Sequence, residues 1–194
     1  MCFHAQQHRS PEEVHRRFGT TGPVTTGTFN GFSHPQMTVI TDEQPTATAL
    51  HQWGLIPAWA KDQSIRRHTL NARIETLKQK PSFRKAHRCL VLTDGFFEWQ
   101  WLDAKGKKKQ KHCITRADNQ PFAFAGLWDE WIDRQTGEII RSFAIVTTEA
   151  GGIMREIHNS KLRMPYTLAP TSENEWLNGL SPAPFTAFEA HAVV

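Results

Sequence analysis

The chain has 194 residues, 39% of them hydrophobic and 22% charged, enough for one domain with its own core and too apolar for a disordered chain. No apolar run approaches the roughly 18–20 residues of a membrane span, and the polar stretch Met1–Phe18 lacks the apolar centre of a signal peptide. A net charge of +4 permits a polyanionic partner without requiring one, and three cysteines (Cys2, Cys89, Cys113) with no CxxC pairing read as reduced thiols of a cytoplasmic protein.

In chain order, Met1-Cys2 comes first. Removal of Met1 would leave Cys2 with a free α-amine and a thiol on adjacent carbons, groups whose ordinary pKa values are about 7.7–8.0 and about 8.5. Such a 1,2-aminothiol forms a Schiff base with an aldehyde and then closes to a thiazolidine; taken alone, though, a cysteine at position two reads as an accident. Ser10-Pro11-Glu12-Glu13 is a helix start, with a serine cap, proline in the first turn and acids at the positive dipole end, and the helix should stop at Gly19. Thr20–Ser33 reads as loop. Met37–Ile40 and Ala47–Trp53 read as strands separated by a turn near Asp42–Pro45. Trp53–Trp59 is apolar and punctuated by Gly and Pro, hence a buried irregular turn.

Asn71–Thr76 is expected to lead into a helix, and a short helix is expected after Pro81. Leu90–Trp101 reads as one long strand with an irregularity at Asp94-Gly95. A hairpin turn at Asp103–Gly106 returns as a strand near Lys111–Thr115. Pro121–Trp131 and Ile139–Thr147 form the next pair, Gly151–Ile157 a short helix, Ser172–Leu177 another with a capping box from Ser172 to Glu175, and Phe185–Val194 a closing strand. The sum is an α+β fold: a mostly antiparallel, strand-rich core with short peripheral helices.

Several residues are candidates for chemistry. Glu98 lies in the aromatic run Phe96-Phe97-Glu98-Trp99, so it sits either at a wet strand rim or partly buried with a raised pKa, the state useful for proton transfer near neutrality. His158, in a loop-like context before Asn159-Ser160, is either a proton carrier or a hydrogen-bonded structural residue. Asn71 and Arg73 suit a phosphate site, or only a helix cap and a surface cation. Lys105, Lys107, Lys108, Lys109 and Lys111 crowd a hairpin tip and read as a solvated turn with a secondary phosphate contact as the alternative. Cys2, His4, His8, Cys89, His112 and Cys113 lack metal-ligand spacing, so no metal is expected. Walker, Rossmann and nucleophile-elbow motifs are missing, and no cofactor is expected.

Taken in order, Met1-Cys2, Trp53-Gly54-Leu55-Ile56-Pro57, Asn71-Ala72-Arg73-Ile74-Glu75-Thr76, Arg88-Cys89-Leu90, Gly95-Phe96-Phe97-Glu98-Trp99, Phe124-Ala125-Gly126-Leu127-Trp128, Thr147-Thr148 and His158 leading into Arg163-Met164-Pro165 resemble the SRAP (SOS-response-associated peptidase) family of abasic-site sensors. The resemblance spans Cys2 to about Leu168. It implies a barrel-like mixed sheet with a cleft crossed by a positive groove, and covalent capture of abasic sites in single-stranded DNA by a monomer acting on damaged DNA of the nucleoid. By motif, Cys2 would be the nucleophile, Asn71 would hold the sugar, Glu98 would move protons at the amine, and His158 would serve ring opening, reversal and strand-cleaving lyase chemistry. Arg73, Arg163, Trp53 and His4 would contact DNA. This chain departs from the family pattern at Phe3-His4, where many members have Gly-Arg, and in the longer spacing between His158 and Arg163. A self-processing cysteine peptidase and a non-covalent single-strand-binding module are the competing readings.

Overall fold

The computed structural model describes residues 2–193. In chain order its elements are β1 (His4–Gln7), α1 (Pro11–Phe18), β2 (Gly27–Asn30), β3 (Gln36–Thr41), β4 (Thr48–Trp53), β5 (Asn71–Arg73), β6 (His87–Thr93), β7 (Gly95–Trp101), β8 (Lys109–Arg116), β9 (Phe122–Ile132), β10 (Ile139–Glu149), α2 (Met154–Ile157), β11 (Arg163–Pro165), β12 (Thr167–Leu168), α3 (Glu173–Leu177) and β13 (Phe188–Ala192). The strand-rich α+β architecture expected from the sequence is the one observed. Among the described residues no helix is long and apolar enough to cross a membrane.

Strands β4, β3, β6, β9 and β10 pair in that order, all antiparallel, and β10 then returns to β4 in parallel through Ser142↔Gln52 and Phe143↔Trp53. That last pairing closes a five-stranded barrel and leaves these strands without free edges. A second, antiparallel sheet runs β13-β8-β7-β1-β2. Alternation along β6 shows how both are held. Cys89 and Val91 join a core shared with Ala5, Phe96 and Phe188 of the second sheet, whereas Leu90 and Leu92 face the cluster with Val14 of α1 and Trp176 of α3. In the shared core, Phe96 meets Phe124 and Phe188 edge to face at 5.6 and 5.7 Å.

Local signals were followed where they were complete. Ser10 caps α1, its hydroxyl accepting from Glu13 N–H while the Glu13 carboxylate accepts from Ser10 N–H, and Gly19 ends the helix at φ +65°. Elsewhere tertiary contacts decided. The stretch expected as one strand through Asp94-Gly95 is two strands in different sheets. The Thr93 hydroxyl bonds the carbonyls of Gln6 and Gly95, and Asp94 N–H donates to Gln6 O, so the chain turns a corner around β1. Thr20–Ser33 is not all loop, because β2 pairs with β1. Asn71–Arg73 is a strand, paired in parallel with β10, and only Ile74–Thr76 winds into one 3₁₀ turn. The chain after Pro81 makes turns rather than a helix. At α3 the expected Ser172–Glu175 capping box does not form; Ser172 makes no side-chain cap bond, and Glu173, first in the helix, pairs instead with Arg17 at 2.6 Å.

Candidate active site

Strand β1 lies between β2 and β7, and its pairing with β7 (Ala5↔Phe96, Gln6↔Gly95) places the residues just before it alongside Glu98. Cys2 therefore arrives buried, with none of its surface exposed. Asn71 on β5 clasps it: Nδ2 donates to the Cys2 carbonyl at 2.9 Å, while Oδ1 is buried with no hydrogen-bond partner among the described residues. The position of Asn71 is fixed from two sides, by the β5–β10 pairing Asn71↔Ile145 and by Trp53 Nε1–H donating to the carbonyl of Leu70 at 2.9 Å.

The electrostatics of the pocket are governed by desolvation. Burial pushes the Cys2 thiol well above its ordinary value, and the nearby Glu98 carboxylate adds to the rise. Glu98 is buried, and burial raises its pKa from 4.5 to about 7. His158 Nε2 lies 3.8 Å from Glu98 Oε2. Its Nδ1 meets the backbone of Arg163 from both sides, 2.6 Å from the carbonyl and 3.2 Å from the N–H, which fixes the ring with Nε2 turned toward Glu98. Burial lowers the His158 pKa to about 4, leaving the ring neutral at pH 7. The buried alternative is thus the one realised for Glu98, with the His158 ring beside it.

Two residues outside the sequence expectations complete the frame. Asn159 bonds both backbone groups of Trp101, accepting from its N–H at 3.1 Å and donating to its C=O at 2.9 Å. It ties the loop that carries His158 to the strand that carries Glu98, and it keeps His158 beside Glu98 despite the longer spacing to Arg163. Phe3 is the second: it lines both a cleft of about 320 Å³ shared with His4, Glu98, Trp99 and Lys109, and a neighbouring one of about 200 Å³ shared with Phe32, Arg67, His68, Leu70 and Asn71. In the sequence it was marked only as a departure from the family's usual Gly-Arg after the cysteine.

The residues expected on the DNA side are dispersed. Arg73 is exposed two residues after Asn71 on the same face of β5. His4 sits edge-on to Trp99 at 4.9 Å, and burial, with Lys111 nearby, lowers its pKa, so it supplies no fixed cation. Arg163 is committed inside the protein, forking onto Glu75 at 2.6 and 3.1 Å and donating to Thr147 O at 2.8 Å. Trp53 has no exposed surface and stacks on Phe143 at 6.1 Å, so contrary to expectation it supports the site from the core and cannot touch a ligand. At the lysine hairpin, the amides of Lys105, Lys107 and Lys108 wrap the Asp103 carboxylate. Lys109 and Lys111 instead lie over Trp101 and Phe97, at 5.4 and 4.2 Å from the ring centres.

Comparison with known proteins identifies the family. The family model for SOS response associated peptidase (SRAP) matches residues 1–191. The chain is 41% identical over 145 residues to the abasic site processing protein YoqW of Bacillus subtilis, covering 73% of this chain and 62% of that protein. It is 33% identical over 128 residues to the abasic site processing protein YedK of Escherichia coli, covering 64% and 52%. The chain thus spans less than two thirds of the length of these curated relatives. A crystal structure of a Bacteroides thetaiotaomicron protein superposes with a TM-score of 0.89 at 32% identity, covering 100% of this chain and 92% of that one. On the family match and these relatives, the chain belongs to the SRAP family.

Proposed function

We propose that this protein processes abasic sites in DNA by capturing them covalently through Cys2. The observation that carries the reading is the enclosure of Cys2, its carbonyl held by Asn71 and its thiol beside a buried carboxyl group that titrates at about 7. The names of the curated relatives support the same substrate.

The opened deoxyribose of an abasic site is an aldehyde. With Met1 removed, the Cys2 amine adds to C1′ and the carbinolamine loses its hydroxyl as water, leaving an imine. Cys2 Sγ then adds to the same carbon, and the thiol proton passes to the ring nitrogen. The balance is aldehyde plus aminothiol giving thiazolidine plus one water. Glu98, divided between its two protonation states near pH 7, takes a proton from the ammonium and returns one to the departing hydroxyl. Asn71 Oδ1 is an acceptor for a sugar hydroxyl. His158, whose Nε2 is turned toward Glu98, is the base for reopening the ring. On the imine it also serves lyase chemistry, where C2′ loses a proton, the C3′–O bond breaks and the 3′ phosphate leaves.

A peptidase would require a thiolate paired with an imidazole. Here burial and the Glu98 field keep the thiol protonated, and the imidazole faces Glu98. The test is incubation of the protein with a single-stranded oligonucleotide carrying one abasic site, followed by a denaturing gel. A slow-migrating adduct is expected from the wild type and none from Cys2→Ala; an adduct that survives in Cys2→Ala, or none from a wild type with Met1 removed, overturns the reading.

A further inference from the structure

The turn Asn30–His34 is built to hold one aromatic ring outside the protein. Gly31 sits directly on the buried Trp53 ring, where an added Cβ would stand 3.1–3.2 Å from ring carbons, and its N–H donates to Phe3 O at 2.8 Å. Asn30 closes the turn from both sides, with Oδ1 accepting from Phe32 N–H at 3.1 Å and its carbonyl from the Ser33 hydroxyl at 2.8 Å. His34 follows in the left-handed region at φ 53°, with Nδ1 2.8 Å from the Trp53 carbonyl. The product of these bonds is Phe32, 59% exposed, its ring 4.8 Å from that of Phe3. A folded chain leaves so large an apolar ring in water on a rigid turn at a cost, and here the clefts beside it carry arginine, histidine and amide side chains.

The two clefts flanking Phe32 are lined by Phe3, Arg67, His68, Leu70 and Asn71 on one side and by His34, Gln63, Ser64, Arg66 and Arg67 on the other, with no carboxylate in either lining. The second cleft holds about 380 Å³. Arg67 is exposed and makes no ion pair among the described residues. Phe3 directly follows Cys2 and connects the first of these clefts to the Glu98 cleft.

We infer that the Phe3–Phe32 pair is a stacking platform for the nucleobase next to the abasic site, with Arg67 holding the phosphate on that side. The inference rests on the abasic-site reading and assigns the chain's Phe3 a binding role. An aromatic ring accepts any base because every base has a π-face, so the platform would favour a base over its absence rather than one sequence over another.

The experiment uses equilibrium fluorescence anisotropy with single-stranded oligonucleotides containing a tetrahydrofuran abasic analogue, which has no aldehyde and cannot crosslink. In one set the neighbouring nucleotide on the 5′ side, or on the 3′ side, is also baseless. Wild type should bind one of these two about tenfold more weakly than the oligonucleotide with both neighbours intact. Phe32→Ala should bind all three with the same weakened affinity, and Phe32→Trp should restore the discrimination. Arg67→Ala should weaken all three uniformly and flatten the salt dependence. Equal affinity of wild type for all three, or discrimination retained in Phe32→Ala, overturns the platform. Because the analogue cannot react, that outcome is independent of whether the natural abasic site crosslinks, which the denaturing gel decides separately.

Discussion

Replacing Glu98 by glutamine isolates the energetic consequence of burying an ionisable group beside Cys2. The Glu98 pKa stands at about 7 in the folded protein against 4.5 for an ordinary glutamate, a rise driven first by desolvation. Below pH 4.5 both states carry the proton and the group contributes nothing. Between 4.5 and 7 the unfolded chain releases its proton while the folded protein keeps it, so stability falls as pH rises. Above 7 both have released it and the loss is complete. At 1.36 kcal/mol per pKa unit the full loss is about 3 kcal/mol. Glutamine keeps the shape and cannot ionise, so the stability of Glu98→Gln relative to wild type should grow by about 3 kcal/mol from pH 4 to 8. Urea denaturation at half-unit intervals, compared at constant m-value, reads this directly. His158 titrates near 4 and is neutral in both proteins over most of this window, so its contribution largely cancels. Parallel curves, or a gap that narrows with rising pH, would refute the buried carboxyl.

The other predictions concern the reaction. Glu98→Gln should slow adduct formation about a hundredfold, within the usual range for removing an acid–base group, and flatten the pH–rate profile near 7, as read by quenched time courses. Asn71→Ala should cost about 1 kcal/mol of stability for the lost bond to the Cys2 carbonyl and slow adduct formation at saturating DNA. His158→Ala should still form the adduct but release it more slowly after a chase with unlabelled abasic DNA. Asn159→Ala should slow release in the same assay without lowering the initial rate of capture, because it removes only the two bonds that hold the His158 loop against Trp101.

Where a local motif was chemically complete, the sequence predicted the structure well. Ser10, Pro11, Glu13 and Gly19 specify α1 without help from the rest of the chain. The long β9–β10 pair was legible for the same reason, its extended apolar runs having no helical period. What could not be read locally was set by distant partners. Asn71–Arg73 looks like a helix entry but is claimed by the edge of β10, and the corner at Asp94-Gly95 exists because Gln6 supplies its carbonyl. Barrel closure through parallel β4–β10 pairing leaves no mark in either strand.

At the site, the aromatic run around Glu98 offered rim or burial, and only packing chose burial. Arg163 and Trp53 were expected at DNA from the family resemblance; in the structure Arg163 pairs with Glu75 and Trp53 lies in the core. Phe32 and Asn159 escaped notice because the first is an ordinary turn residue until Trp53 lies beneath Gly31, and the second an ordinary loop asparagine until Trp101 lies opposite.

The central claim is chemical, that the Cys2 amine and thiol together hold the sugar. Digestion of the adduct with trypsin and nuclease, followed by mass spectrometry of the linked peptide, tests it most directly. The account predicts a remnant on the peptide Cys2–Arg9, with Met1 gone and a mass equal to peptide plus sugar remnant less one water. A remnant on a lysine peptide, or on a peptide still carrying Met1, would contradict it.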